Sequence, residues 1–146
     1  DRHLRKLGWA AQLHEIGSAI SHSDYHKHGA YILDNADAAG FTMNELHRLG
    51  QLVLGHRGKL RKLDLQLDDE AFTLQLLALR LAVVLCHARR DPDLQGLHIE
   101  WDGGTEVQLS HPATWGASYP QSAWLLQEEM QAWQKTAWVL RVRATD

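Results

Sequence analysis

Between Glu70 and Arg89 the chain reads Glu-Ala-Phe-Thr-Leu-Gln-Leu-Leu-Ala-Leu-Arg-Leu-Ala-Val-Val-Leu-Cys-His-Ala-Arg. Phe72, Leu74, Leu76, Leu77, Leu79, Leu81, Val83, Val84 and Leu85 make its core nearly all apolar, so a helix here must be surrounded by other elements. Asp68 or Asp69 is placed to cap it, Arg89 and Arg90 complement its dipole, and Pro92 stops it. The longest apolar run, around Leu81–Cys86, is far short of the roughly 18 residues a membrane span needs. The segment is therefore expected to be the buried central helix of a bundle, with no membrane span.

The upstream residues offer the helices to surround it. Arg2 to Ile20 carries apolar residues on two sides, Leu4, Leu7 and Ala11 with His14 on one and Trp9, Leu13, Ile16 and Ile20 on the other, which predicts a helix sandwiched between neighbours. Ser21-His22-Ser23-Asp24 is a cluster of cap and turn formers, and a helix is expected from Tyr25 to Ala36. Thr42-Met43-Asn44-Glu45 has the spacing of a capping box, opening a helix with Leu46, Leu49, Val53 and Leu54 that runs to Gly55. The stretch 56–67 lacks a clean period and reads as a loop with a helical turn.

Beyond Pro92 the period changes. Residues 97–101 and 106–110 alternate, and Asp102-Gly103-Gly104-Thr105 joins them as a hairpin in which glycine tolerates positive φ. A helix from about Gln121 to Thr136 and a third alternating strand, Val139 to Arg143, follow. The expected fold is α+β, mostly α: a helical bundle over residues 1–93 and a small β-β-α-β annex over 94–146. A chain of 146 residues suits one domain with such an annex, and it shows no internal repeat or low-complexity segment.

A hydrophobic share of 45% with a net charge of −3 argues against disorder. One cysteine, Cys86, excludes an internal disulfide and a cysteine-ligated zinc, and fits a cytoplasmic protein. The chain opens at Asp1 without Met or a signal-peptide pattern and is expected to be part of a longer protein. Charge is unevenly spread. Residues 46–63 hold five cations, Arg48, Arg57, Lys59, Arg61 and Lys62, whereas residues 91–134 hold seven acids and no Lys or Arg. The basic run is either a solvated face or a local anion site.

Ten histidines are present. His14-Glu15, His28-Gly29 and His56-Arg57 fall on or beside three different helices, an arrangement that can gather round a divalent metal. Ala10-Ala11-Gln12-Leu13-His14-Glu15-Ile16-Gly17 resembles the signature helix of the HD phosphohydrolase superfamily, and the segments at His28 and His56 resemble its later histidine segments. The chain departs from the active pattern. Glu15 replaces the metal-bridging Asp, Arg80 stands where the last ligand Asp would be, and the first family histidine has no match. A cation in a ligand ring repels metal, so His14, Glu15, His56 and Arg80 are read as degenerate positions with no metal.

Trp9 to Gly17, Ser21-His22-Ser23, His26 to Leu33 and Leu77 to Leu85 together resemble the C-terminal half of the exopolyphosphatase / guanosine pentaphosphate phosphohydrolase family, as does the closing Trp138-Val139-Leu140-Arg141-Val142 strand. That resemblance implies a catalytic actin-like module, with two glycine-rich phosphate loops and Mg²⁺, N-terminal to this region. It implies a non-catalytic, substrate-holding or regulatory role for the region itself, with no cofactor of its own. The implied partners are inorganic polyphosphate or guanosine pentaphosphate, the catalytic module, and a second copy in a homodimer. Candidate polyphosphate contacts are His22, His26, His28, His56, Arg57, Lys59, Arg61 and Lys62, because a polyanion needs a track of cations and donors. The alternatives are a dimerisation or structural module and an autonomous HD-type metal phosphohydrolase. Nucleic-acid binding is not expected, because the cation track lacks interleaved aromatics.

Overall fold

The computed structural model describes residues 2–60 and 67–146; the candidate contacts Arg61 and Lys62 lie outside the described residues. The fold is α+β with helix predominant, in two compact units, Asp1–Arg80 and Leu81–Asp146. The division thus falls inside the long helix, earlier than the change of period after Pro92.

The first unit contains α1 (Arg2–Leu13), a 3-10 turn (Ile16–Ala19), α2 (Tyr25–Asp34), α3 (Met43–Gly55) and the start of α4 (Glu70–Leu85). Nearly all of α4 up to Arg80 is buried or half-buried, as its all-round apolar pattern requires. Leu33, Leu46, Leu49, Leu52, Val53, Leu60, Phe72, Leu76 and Leu79 form the core. The capping box is present in full: Glu45 N–H donates to Thr42 Oγ1 at 3.1 Å and Thr42 N–H to Glu45 Oε1 at 3.2 Å. Arg2 also bonds the Glu45 carboxylate, fastening α1 to the start of α3. Of the two candidate caps on α4, Asp69 accepts from Phe72 N–H at 3.1 Å. Arg48 holds its other oxygen at 2.9 Å, and this hydrogen bond keeps the Asp69 carboxyl below the usual carboxylate range.

The first helix differs from expectation. It ends at Leu13, its only buried residue is Ala10, and Leu4 and Ile20 are exposed, so it is no two-sided sandwich. The cause is a close approach. A Cβ on Gly17 would lie 1.8 Å from Tyr25 O and 2.4 Å from Gly29 N, so the chain must break after Leu13 to lay Gly17 on the backbone of α2. Gly29 in turn admits Val53 of α3, whose Cγ1 would be 2.7 Å from a Cβ there. Asp24 stands at the N-cap of α2 in left-handed conformation, φ 55°, without a side-chain cap bond.

The second unit begins with Leu81–Leu85 of α4, which ends at Leu85 rather than Arg89; Arg89 has φ 58°. It continues with β1 (His98–Trp101), β2 (Glu106–Pro112), α5 (Ala113–Ser118), α6 (Pro120–Trp133) and β3 (Val139–Thr145). The sheet order is β1-β2-β3. β1 runs antiparallel to β2 (Ile99 opposite Leu109) and β3 parallel to it (Val107 opposite Leu140). Val107, Leu109, Trp115, Leu126, Trp133, Leu140 and Val142 are buried. The expected hairpin turn is built by Asp102, whose Oδ1 accepts from Gly104 N–H at 2.7 Å and Glu106 N–H at 3.2 Å while Gly103 takes φ 83°. The short α5 was not expected, so the annex is β-β-α-α-β. No described helix is long and apolar enough to cross a membrane.

Candidate functional site

Where the 3-10 turn presses on α2, the first turn of α2 comes up against the C-terminal end of α3. The result is a cluster of rings. His14 and His56 meet edge to face with centroids 5.0 Å apart, and Tyr25 lies 5.5 Å from His56. His22 stacks on Tyr25 at 5.6 Å, and the Arg57 guanidinium covers the same phenol ring at 4.7 Å. A cation over an aromatic face is held there by the ring quadrupole, so Arg57 is positioned although exposed.

His56 is 2% exposed, and both its ring nitrogens are engaged. Nδ1 donates to Val53 O, which leaves Nε2 to accept from Tyr25 Oη at 3.4 Å. Burial pushes its pKa down to about 4; the Val53 bond opposes this, and the His14, His26 and Arg57 charges reinforce it. His26 is 6% exposed, and its Nδ1 has no hydrogen-bond partner among the described residues. Burial first, then Arg57, lowers its pKa as well. Both side chains are therefore neutral near pH 7, and charging them as the pH falls through the ordinary histidine range is opposed.

Arg80 explains the shape of the loop after α3. Its buried guanidinium donates to Gly55 O at 2.8 Å and Gly58 O at 3.2 Å, gripping the carbonyls on either side of His56 and Arg57. Arg57 and Lys59 are left on the surface.

The candidate residues therefore separate by placement. The fold brings His22, His26, His56 and Arg57 together with His14. His22, Arg57 and Lys59 face solvent, His26 and His56 lie beneath, and His28 is half-buried outside these ring contacts. Tyr25 is the member the sequence reading passed over; its place beside His26 at the head of α2, three residues from His22, is the signal that could have found it.

Of the positions that resemble HD ligands, three make contacts to backbone or to a phenol, and His14 Nε2 lies 3.4 Å from Glu15 Oε1. His14 Nδ1 donates to Ala11 O at 2.6 Å, His56 has no free nitrogen, and Arg80 is committed to backbone carbonyls. Among the described residues no three His, Cys, Asp or Glu side chains are gathered to hold a metal ion. What the surface does offer is a fixed guanidinium, a lysine and an exposed imidazole, the chemistry of an anion contact.

Residues 1–130 match the family model described as Ppx/GppA phosphatase, domain III. The chain is 36% identical over 143 residues to a guanosine-5'-triphosphate,3'-diphosphate pyrophosphatase of Pseudoalteromonas translucida, covering 95% of this chain and 28% of that protein. Proteins of the same name from Aliivibrio fischeri (strain MJ11) and Vibrio atlanticus are 32% and 33% identical, covering 98% and 93% of this chain but 29% and 28% of theirs. The chain thus spans less than a third of the length of these relatives.

Proposed function

The chain belongs to the Ppx/GppA phosphatase family, through a region matching its domain III, and from that premise we propose that this region holds a polyphosphorylated substrate for a reaction carried out elsewhere in the whole protein. The substrate would be guanosine pentaphosphate, as the relatives' names indicate, or inorganic polyphosphate, and the reaction hydrolysis of its terminal phosphoanhydride. The chemistry and its Mg²⁺ would belong to a catalytic module N-terminal to this region.

One observation carries the reading. In the position that resembles a metal-ligand site, Arg80 instead braces the loop from below and leaves Arg57 and Lys59 displayed on it. Contacts made far from the reacting phosphate favour long substrates, because their binding energy holds the chain between successive cleavages. With His26 and His56 neutral, attraction would come from Arg57 and Lys59, and the histidines would shape their platform.

The test has two parts. The 146-residue chain with Mg²⁺ should release no phosphate from inorganic polyphosphate above a mock preparation; release would overturn the non-catalytic reading. The chain should bind long polyphosphate more tightly than short, with affinity falling as salt rises. Arg57→Ala with Lys59→Ala should flatten that salt slope by about two neutralised phosphates' worth. An unchanged slope would leave these cations as solvent-exposed charge only.

A further inference from the structure

The sequence places Arg90 at the end of the long helix, yet α4 stops at Leu85, and Arg90 stands on the surface with no partner among the described residues. Asp91, the next residue, is likewise exposed and without a partner among them. Both line a cavity of about 560 Å³ that lies wholly within the second unit. That volume falls in the range of small-ligand sites, about 300–1,000 Å³.

The rest of the wall is held by its own hydrogen bonds. Trp115 Nε1–H donates to Asp93 O at 2.8 Å, and Tyr119 Oη–H donates to Asp93 Oδ2 at 3.3 Å. Gln95 N–H donates to the other Asp93 oxygen at 2.9 Å, so that carboxylate is fully engaged. His87 Nε2 and Ser122 Oγ share a bond of 3.0 Å. The Trp115 and Tyr119 rings, 5.5 Å apart, and the half-buried Leu85 supply apolar surface. A preformed apolar wall thus carries two charges of opposite sign that the protein itself leaves unanswered.

We propose that this cavity binds a free α-amino acid with a large apolar side chain. Arg90 takes the carboxylate, which its planar fork suits, Asp91 takes the ammonium, and the side chain lies against Trp115, Tyr119 and Leu85. Charges on two consecutive residues match the two charged groups carried by one Cα. Net charge decides against other ligands. Residues 91–134 hold seven acids and no Lys or Arg, so a phosphate or nucleotide with two or more negative charges is repelled. A simple amine leaves Arg90 unanswered, and a simple carboxylate leaves Asp91 so. A zwitterion answers both and adds no net charge. The site is separate from Arg57 and Lys59 and goes beyond the substrate-holding reading.

The two charges supply the experiment. Titration of the 146-residue chain with L-phenylalanine, followed by NMR at the Trp115 indole N–H, should show saturable binding. N-acetylphenylalanine, which lacks the ammonium, and phenylalanine amide, which lacks the carboxylate, should each bind about tenfold more weakly or worse. Asp91→Asn should weaken phenylalanine by a similar factor and leave N-acetylphenylalanine unchanged. Arg90→Gln should weaken phenylalanine and leave the amide unchanged. Such coupling assigns each ligand charge to its residue, whereas general damage to the cavity would weaken all three ligands. Both positions are exposed, so the fold should be retained. An indole signal that does not move up to about 10 mM phenylalanine overturns the proposal. So does binding that neither substitution changes, or competition by inorganic phosphate. Equal affinity for N-acetylphenylalanine or for the amide also overturns it, and assigns the cavity to the end of a peptide instead. Polyphosphate binding at Arg57 and Lys59 is read with other ligands and variants, so failure of either reading leaves the other standing.

Discussion

His56 should make the protein sensitive to mild acid in a way that can be isolated. In the unfolded chain its pKa is near 6.5, and in the fold burial lowers it to about 4. Between these values the unfolded chain binds a proton that the native state refuses. The stabilisation is therefore complete above pH 6.5, falls as the pH drops, and is gone below about pH 4. At ~1.36 kcal/mol per pH unit the full effect is about 3 kcal/mol, of which about 2 kcal/mol is lost by pH 5. His56→Asn removes the titration while its amide N–H can still donate to Val53 O. The lost ring volume costs stability at every pH, so the informative quantity is the change between pH 8 and pH 5. Urea unfolding should show the wild type losing about 2 kcal/mol more than the variant over that interval. The carboxylates and His26 are common to both proteins and largely cancel. Equal losses would refute the assignment of a buried, neutral His56.

Three further outcomes follow from named contacts. Arg80→Met should cost about 2–3 kcal/mol in urea unfolding, because Gly55 O and Gly58 O lose charged donors, and it should weaken polyphosphate binding by releasing the loop that carries Arg57. Gly17→Ala should cost about 3 kcal/mol or more by thermal or urea unfolding, since its Cβ would collide with backbone atoms of α2, which cannot give way as a flexible side chain can. Thr42→Ala should cost only about 1 kcal/mol, the loss of one reciprocal cap, with the helical circular-dichroism signal retained at room temperature.

Local chemistry was legible in the sequence where a few adjacent residues decide the outcome. The Thr42–Glu45 box, the Asp102 hairpin and the burial of α4 depend on neighbours three or four positions away or on one strong period. The break after Leu13 was not legible, because it answers to the meeting of Gly17 with Tyr25 and Gly29, which no apolar pattern encodes. The same contact governs the candidate site. His22, His26 and His56 were identifiable as residue types, but which face solvent depends on how the first turn of α2 lies against the end of α3. Tyr25 escaped notice because a tyrosine at a helix start carries no signature until its ring is seen between two histidines and an arginine. Arg80 was legible as a departure from a ligand pattern, and its actual work on the loop carbonyls was not.

The parallel pairing of β3 with β2 has a kinetic side. β2 is flanked on both sides, by its hairpin neighbour β1 and by β3, which returns only after α5 and α6 have been laid down. The hairpin closes over four residues, whereas β3 must wait for a loop some seven times longer, and its registration is correspondingly late. Amide protons of β2 should then be among the slowest of this unit to exchange with deuterium, outlasting those of β1. A protease or a premature stop that removes the chain after Trp138 would not merely shorten the sheet. It would strip β2 of a full row of partners and turn Val107 and Leu109 into exposed, aggregation-prone edge residues in a chain that still carries most of its sequence.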